Sequence, residues 1–109
     1  MISANALRKR FMKDSLPSKW GGIASDLLRL SGIVHAEKTL SPTFQVVLNE
    51  TKLFTEWIAR DVELPSQKTV LKLQRSLSKW SAAGSRDFIK IEKDAQKWSQ
   101  KILSLSGLK

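Results

Sequence analysis

The chain has 109 residues, enough for one domain rather than two. Nineteen Lys and Arg stand against ten Asp and Glu, a formal charge of +9, with no Cys, no Tyr and four Trp. These figures exclude a disulfide scaffold, a thiolate metal site and a Cys nucleophile, and apolar runs of only two or three residues argue against a membrane span.

The start, MISANALRKRF, lacks the apolar stretch of a secretory signal. It is Arg-rich and poor in acids, as an organelle transit segment would be, but Leu7 and Phe11 fall on one side of a helix that belongs to the fold. The spacing predicts a first, short basic helix over 4–13, with Ala4, Leu7 and Phe11 on one face and Ser3 as N-cap.

A second helix is expected from about Ser18 to Glu37. Trp20, Ile23, Leu27, Leu30 and Val34 recur at helical spacing and form its inward stripe. Gly21, Gly22 and Gly32 weaken it; they either permit close helix contact or delay its start. Ser41-Pro42 opens a third helix, the Ser as cap and the Pro at the first helical position. Phe44, Val47, Thr51, Phe54 and Ile58 form its core stripe, and Val46, Leu53 and Trp57 a second apolar line ~100° away.

Residues 61–66, DVELPS, read as a turn ending in the next cap. A fourth helix follows over about 67–82, with Val70, Leu73, Leu77 and Trp80 inward. Gly84 and Ser85 close it and cap a fifth helix over about 86–106, whose stripe is Phe88, Ile91, Ala95, Trp98, Ile102 and Leu105; Gly107 and Leu108 end it. Short connections between amphipathic helices make neighbours antiparallel. The expected fold is all-α: one domain over 1–109, an up-and-down four-helix bundle with a short extra N-terminal helix.

The charge is uneven. Residues 1–15 carry +3, residues 16–65 carry −1 and residues 66–109 carry +7. On the fourth helix Lys68, Lys72, Arg75 and Lys79 fall on one line, with no acidic residue on that helix. On the fifth, Arg86, Lys90, Lys93, Lys97 and Lys101 do the same. The two helices match at an offset of 18: LKLQRSLSKWS at 71–81 against IKIEKDAQKWS at 89–99. Old duplication and shared amphipathic patterning both account for this.

The two lines predict a basic ridge ~16–22 Å long, from ~1.5 Å rise per residue. Such a ridge suits phosphates of nucleic acid or another anionic surface; the plainer reading is a solvated face. The second line of the third helix, Val46, Glu50, Leu53 and Trp57, is the candidate face for a protein partner or a second copy, unless the N-terminal helix covers it. All four Trp occupy apolar-stripe positions, which favours core packing over base stacking.

Catalytic signatures are sparse. His35 is the only histidine, no set of ligands stands at metal spacing, and no phosphate-binding loop, dinucleotide fingerprint or nucleophile elbow occurs. A helix-turn-helix about Gly84 is excluded: Trp80 stands where a small residue is needed, and Lys90 and Lys93 where apolar ones are. Arg29 and His35 in RLSGIVH resemble the Arg and His of HEPN-type ribonucleases, which are also small all-α domains. The residue after Arg is usually polar in that family and is Leu30 here, and the pair would sit ~240° apart on a straight helix.

ISANALRKRF, SLPSKWGGIASDLLRLS and the ending SLSGLK resemble short all-α proteins of cyanobacteria to which no activity is assigned. The resemblance implies a cytosolic helical protein and brings no catalytic residue. The expectation is therefore a non-enzymatic, cytoplasmic binding module without cofactor or metal. It would dock nucleic acid or another polyanion on the 68–101 hairpin. The expected partner is nucleic acid or an acidic protein, with a homodimer possible; the alternatives are a protein adaptor or regulatory subunit using the apolar face of the third helix and, remotely, a HEPN-like ribonuclease.

Overall fold

The computed structural model describes residues 4–37, 41–82 and 88–106. They form five helices: α1 Ala4–Lys13, α2 Leu16–Glu37, α3 Pro42–Ile58, α4 Leu64–Ala82 and α5 Phe88–Ser106. No strand occurs among the described residues. The expected caps and closures at Ser3, Gly84, Ser85, Gly107 and Leu108 lie outside them, as does Arg86.

Three helices carry Pro in the first turn, and in α2 and α3 a serine cap precedes it; the cap expected at the end of 61–66 falls inside α4 instead. The Phe44 N–H donates to Ser41 Oγ at 3.2 Å, as expected of the Ser41 cap. Two starts come earlier than the sequence suggests. α2 begins at Leu16 rather than Ser18: Ser15 caps it, accepting from Ser18 N at its hydroxyl and from Lys19 N at its carbonyl. α4 begins at Leu64 rather than residue 67: the Gln67 N–H donates to the Glu63 carbonyl, and Gln67 Nε2 donates to Val62 O at 2.9 Å. Pro17 and Pro65 look like turn residues, yet in a first helical turn the missing N–H has no partner to lose.

The stripes assigned to α2, α3 and α4 are buried throughout. Their fully buried residues include Ile23, Leu27 and Leu30 on α2, Phe44 and Ile58 on α3, and Leu73 and Leu77 on α4. Burying each such side chain contributes about 1.5–3 kcal/mol. The α5 stripe departs from expectation. Ile91, Ala95 and Ile102 are buried, Phe88 and Trp98 are half-buried, and Leu105 is 42% exposed.

α2 packs against both α5 and α3, and α3 in turn meets α4 and α1. Side-chain bonds give the directions. Lys19 near the start of α2 meets Asp61 just past α3, and Arg29 near mid-α2 meets Glu50 near mid-α3. Ser99 late in α5 meets Ala24 early in α2, and His35 late in α2 meets Glu92 early in α5. Helix α2 is thus antiparallel to both neighbours. The Ser99–Ala24 register sets Leu105 opposite the first turn of α2, where the covering helix begins, and so leaves it open.

The α2–α5 contact is the more extensive, and small residues make it close. Ala24 and Ser31 are buried on α2, Ala95 and Ser99 on α5. The short Ser99 side chain donates 2.8 Å to the Ala24 carbonyl, which requires near approach of the two backbones. Gly22 and Gly32 do not provide it. A Cβ at Gly22 or Gly32 would meet nothing within 4 Å, and the helix runs through both.

Gly32→Ala should therefore raise stability by about 0.5–1 kcal/mol, through higher helix propensity and a less flexible unfolded chain. Denaturant unfolding followed by circular dichroism checks this; a lower midpoint would show that the position needs Gly.

Candidate functional site

The two basic lines occupy the outward sides of α4 and α5. Lys68, Lys72, Arg75 and Lys79 on α4 are exposed, as are Lys90, Lys93, Lys97 and Lys101 on α5. The earlier start of α4 adds Leu64, Pro65 and Ser66 and no carboxylate, so the helix remains free of acid. Among the described residues none of these eight enters a salt bridge. Lys97 and Lys101 line two adjoining surface grooves. One, of ≈ 550 Å³, is completed by Gln100, Leu103 and Ser104. The other, of ≈ 170 Å³, is completed by Asp94 and Trp98.

Trp98 reaches from α5 to α4. Its indole Nε1–H donates to Ser76 Oγ at 3.2 Å, and Lys101 Nζ lies over its ring, 5.3 Å from the centroid. It is half-buried, as is Trp57, whereas Trp20 and Trp80 are buried. Core packing, expected for all four, therefore describes two of them fully. The offset match of α4 with α5 does not carry over into environment. Trp80 is buried and Trp98 is not, while Ser81 is exposed and Ser99 is buried.

The candidate partner face on α3 is divided. Val46 is 69% exposed. Trp57 is engaged by its own chain: Phe11 of α1 stacks on Phe54 with centroids 4.5 Å apart, and both rings meet Trp57, at 5.7 and 5.8 Å. Leu53 is half-buried. Beside this cluster Lys19 is buried, its ammonium 2.6 Å from Asp61 Oδ2 and 5.9 Å from the Phe11 ring centroid. The stacked ring is what attaches α1, as the side-by-side placement of Leu7 and Phe11 on one face allows.

Arg29 and His35 are held by different neighbours. Arg29 Nη1 donates to Asp26 Oδ1 at 3.2 Å and lies 3.7 Å from Glu50 Oε2 on α3. His35 Nδ1 lies 3.2 Å from Glu92 Oε1 on α5 and shares no partner with Arg29. No group of three metal-ligating side chains gathers among the described residues, and no helix there is long and apolar enough to cross a membrane.

Asp26 is the ionisable group that sequence reasoning missed. Its side chain is 6% exposed, and Oδ2 is buried with no donor in reach. Burial pushes its pKa up to about 8; the Glu50 carboxylate adds to this, accepting from the neutral form and repelling the ionised one, while Arg29 opposes both. In its neutral form the Asp26 carboxyl donates its proton toward Glu50. Its place next to Leu27 on the inward side was the only sequence signal.

No family model, no curated protein and no solved structure matches the chain.

Because Asp26 binds its proton more tightly folded than unfolded, stability falls as pH rises from about 4 to about 8. Asp26→Asn keeps the neutral shape and can donate to Glu50. It should flatten the dependence of Tm on pH across that window and exceed the native chain in Tm at its upper end. Parallel curves for the two proteins would show that Asp26 does not titrate there.

Proposed function

We propose that the chain is a non-enzymatic module that docks a polyanion, most simply nucleic acid, on the exposed basic sides of α4 and α5. The carrying observation is the concentration of charge: eight basic residues stand exposed on α4 and α5, none in a salt bridge among the described residues, and α4 has no acidic residue. Closely spaced like charges repel and cost stability unless counterions or a ligand neutralise them. A phosphate chain does so by releasing its own condensed counterions, which makes association entropically favourable.

The reading places α2 to α5 in an up-and-down four-helix bundle with α1 as an added helix. The antiparallel sense of α2 to α3 and to α5 supports it, as does chain length at α4–α5. Were α4 and α5 parallel with Ser76 beside Trp98, Ala82 and Phe88 would lie ~24 Å apart along the axes alone, at ~1.5 Å per residue. The six Cα steps between them span at most ~21 Å. Antiparallel packing fits, and it sets both lysine lines on one surface: Ser76 and Trp98 each lie ~70–95° round from their own line, in the same sense, at 100° per residue.

Triple charge reversal on the ridge, Lys72→Glu with Arg75→Glu and Lys79→Glu, should weaken binding of a labelled oligonucleotide at low salt by roughly tenfold or more. It should also lower the log–log salt slope by about 0.7–0.9 for each phosphate no longer neutralised. The matched control on α1, Arg8→Glu with Lys9→Glu and Lys13→Glu, makes the same change in net charge and should have a much smaller effect. Fluorescence anisotropy across a salt series reads both. Equal loss in the two variants, or no binding by the native chain at low salt, overturns the reading.

A further inference from the structure

Trp98 does not fit a plain solvated face. It occupies a core-stripe position and packs against the core, yet remains half-buried, with the Lys101 ammonium over its ring. Its hydrogen bond to Ser76 ties the indole to α4 and so fixes the ring's orientation. Trp57, the other half-buried indole, is taken up by Phe11 and Phe54, whereas Trp98 makes no aromatic contact among the described residues. The ring borders the ≈ 170 Å³ groove with Lys97 and Lys101, which also border the adjoining ≈ 550 Å³ groove.

We infer that the ridge takes single-stranded nucleic acid, with one unpaired base stacked on the Trp98 indole beside Lys97 and Lys101. This rests on the polyanion reading and narrows it. A duplex presents phosphates and groove edges but keeps its base faces stacked inside, so a fixed indole face gains nothing from it. An unpaired base has a free face and displaces a lysine that needs only to swing aside toward a phosphate. Base–aromatic stacking of this kind is tolerant of sequence. Asp94, the carboxylate of the smaller groove, repels a phosphate set there and accepts from a base N–H. It thereby favours a base over backbone at the ring. Lys97 and Lys101, on the ridge side, are left to hold the flanking phosphates.

The test uses the full chain and three probes at one low salt concentration: oligo(dT), a duplex of equal length, and inorganic polyphosphate, which has charge but no bases. Oligo(dT) should bind more tightly than duplex and quench tryptophan emission, while polyphosphate binds without comparable quenching. Trp98→Leu should lower affinity for oligo(dT) by about tenfold, abolish that quenching and leave polyphosphate affinity unchanged; Trp98→Phe, which keeps a ring, should retain most of the affinity. Loss of both affinities in a chain unfolded by circular dichroism leaves the native-chain quenching comparison to decide. Duplex and oligo(dT) bound alike, or no base-dependent quenching, overturns the stacking site while the basic ridge stands. Failure of all three probes to bind removes the ridge itself.

Discussion

The close antiparallel packing of α2 against α5 is the constraint from which the remaining geometry follows. Two backbones approach near enough for a serine hydroxyl on one to reach a carbonyl on the other, because Ala24, Ser31, Ala95 and Ser99 offer little volume between them. That approach commits the inward side of α5 to α2 and turns Lys90, Lys93, Lys97 and Lys101 outward. With α3 on another side of α2, the central helix is enclosed by two partners running opposite to it. Ile23, Leu27 and Leu30 are accordingly sealed from water. Gly22 and Gly32 face open space and take no part in that approach.

Charge is divided along the same lines. In the near-neutral middle of the chain some charges meet across α2 and α3. Lys19 meets Asp61 beside an aromatic ring, and Arg29 lies between Asp26 and Glu50. Lys19 is buried, where an unmatched charge is costly, and Asp61 supplies its partner. On α4 and the outer side of α5 the charges stand in water, where a cation needs no partner, and the sequence supplies few. The +9 is therefore not a general property of the surface. It sits in residues 1–15, which carry +3, and in residues 66–109, which carry +7.

Much of the architecture was legible from the residues. Helical recurrence identified the buried stripes of α2, α3 and α4, because a helix can bury only a narrow face and that face must repeat with its period. Ser41 before Pro42 marked the start of α3 for a local reason, a hydroxyl meeting a free N–H. Helices α2 and α4 start earlier than periodicity alone suggests, because Pro17 and Pro65 stand in first turns, where a missing N–H costs no helix hydrogen bond. The lysine lines were visible in the spacing as well. Their lack of carboxylate partners was not, since ion pairs such as Lys19 with Asp61 join residues 42 apart in sequence.

From the order of its residues alone, the chain specified helices, their inward faces and the concentration of positive charge toward its C-terminal part. Each depends on local period and composition. Tertiary structure decided what those faces meet. It closed Phe11 over Phe54 and Trp57, buried Asp26 beside Glu50, and left Trp98 half open between Ser76 and Lys101. The same Trp-Ser pair lies eighteen residues earlier as Trp80 and Ser81, where the Trp is buried and the Ser exposed. An identical local pattern thus acquires opposite surroundings, because the neighbouring helix is fixed by packing across the whole chain and not by the helix that carries the pattern.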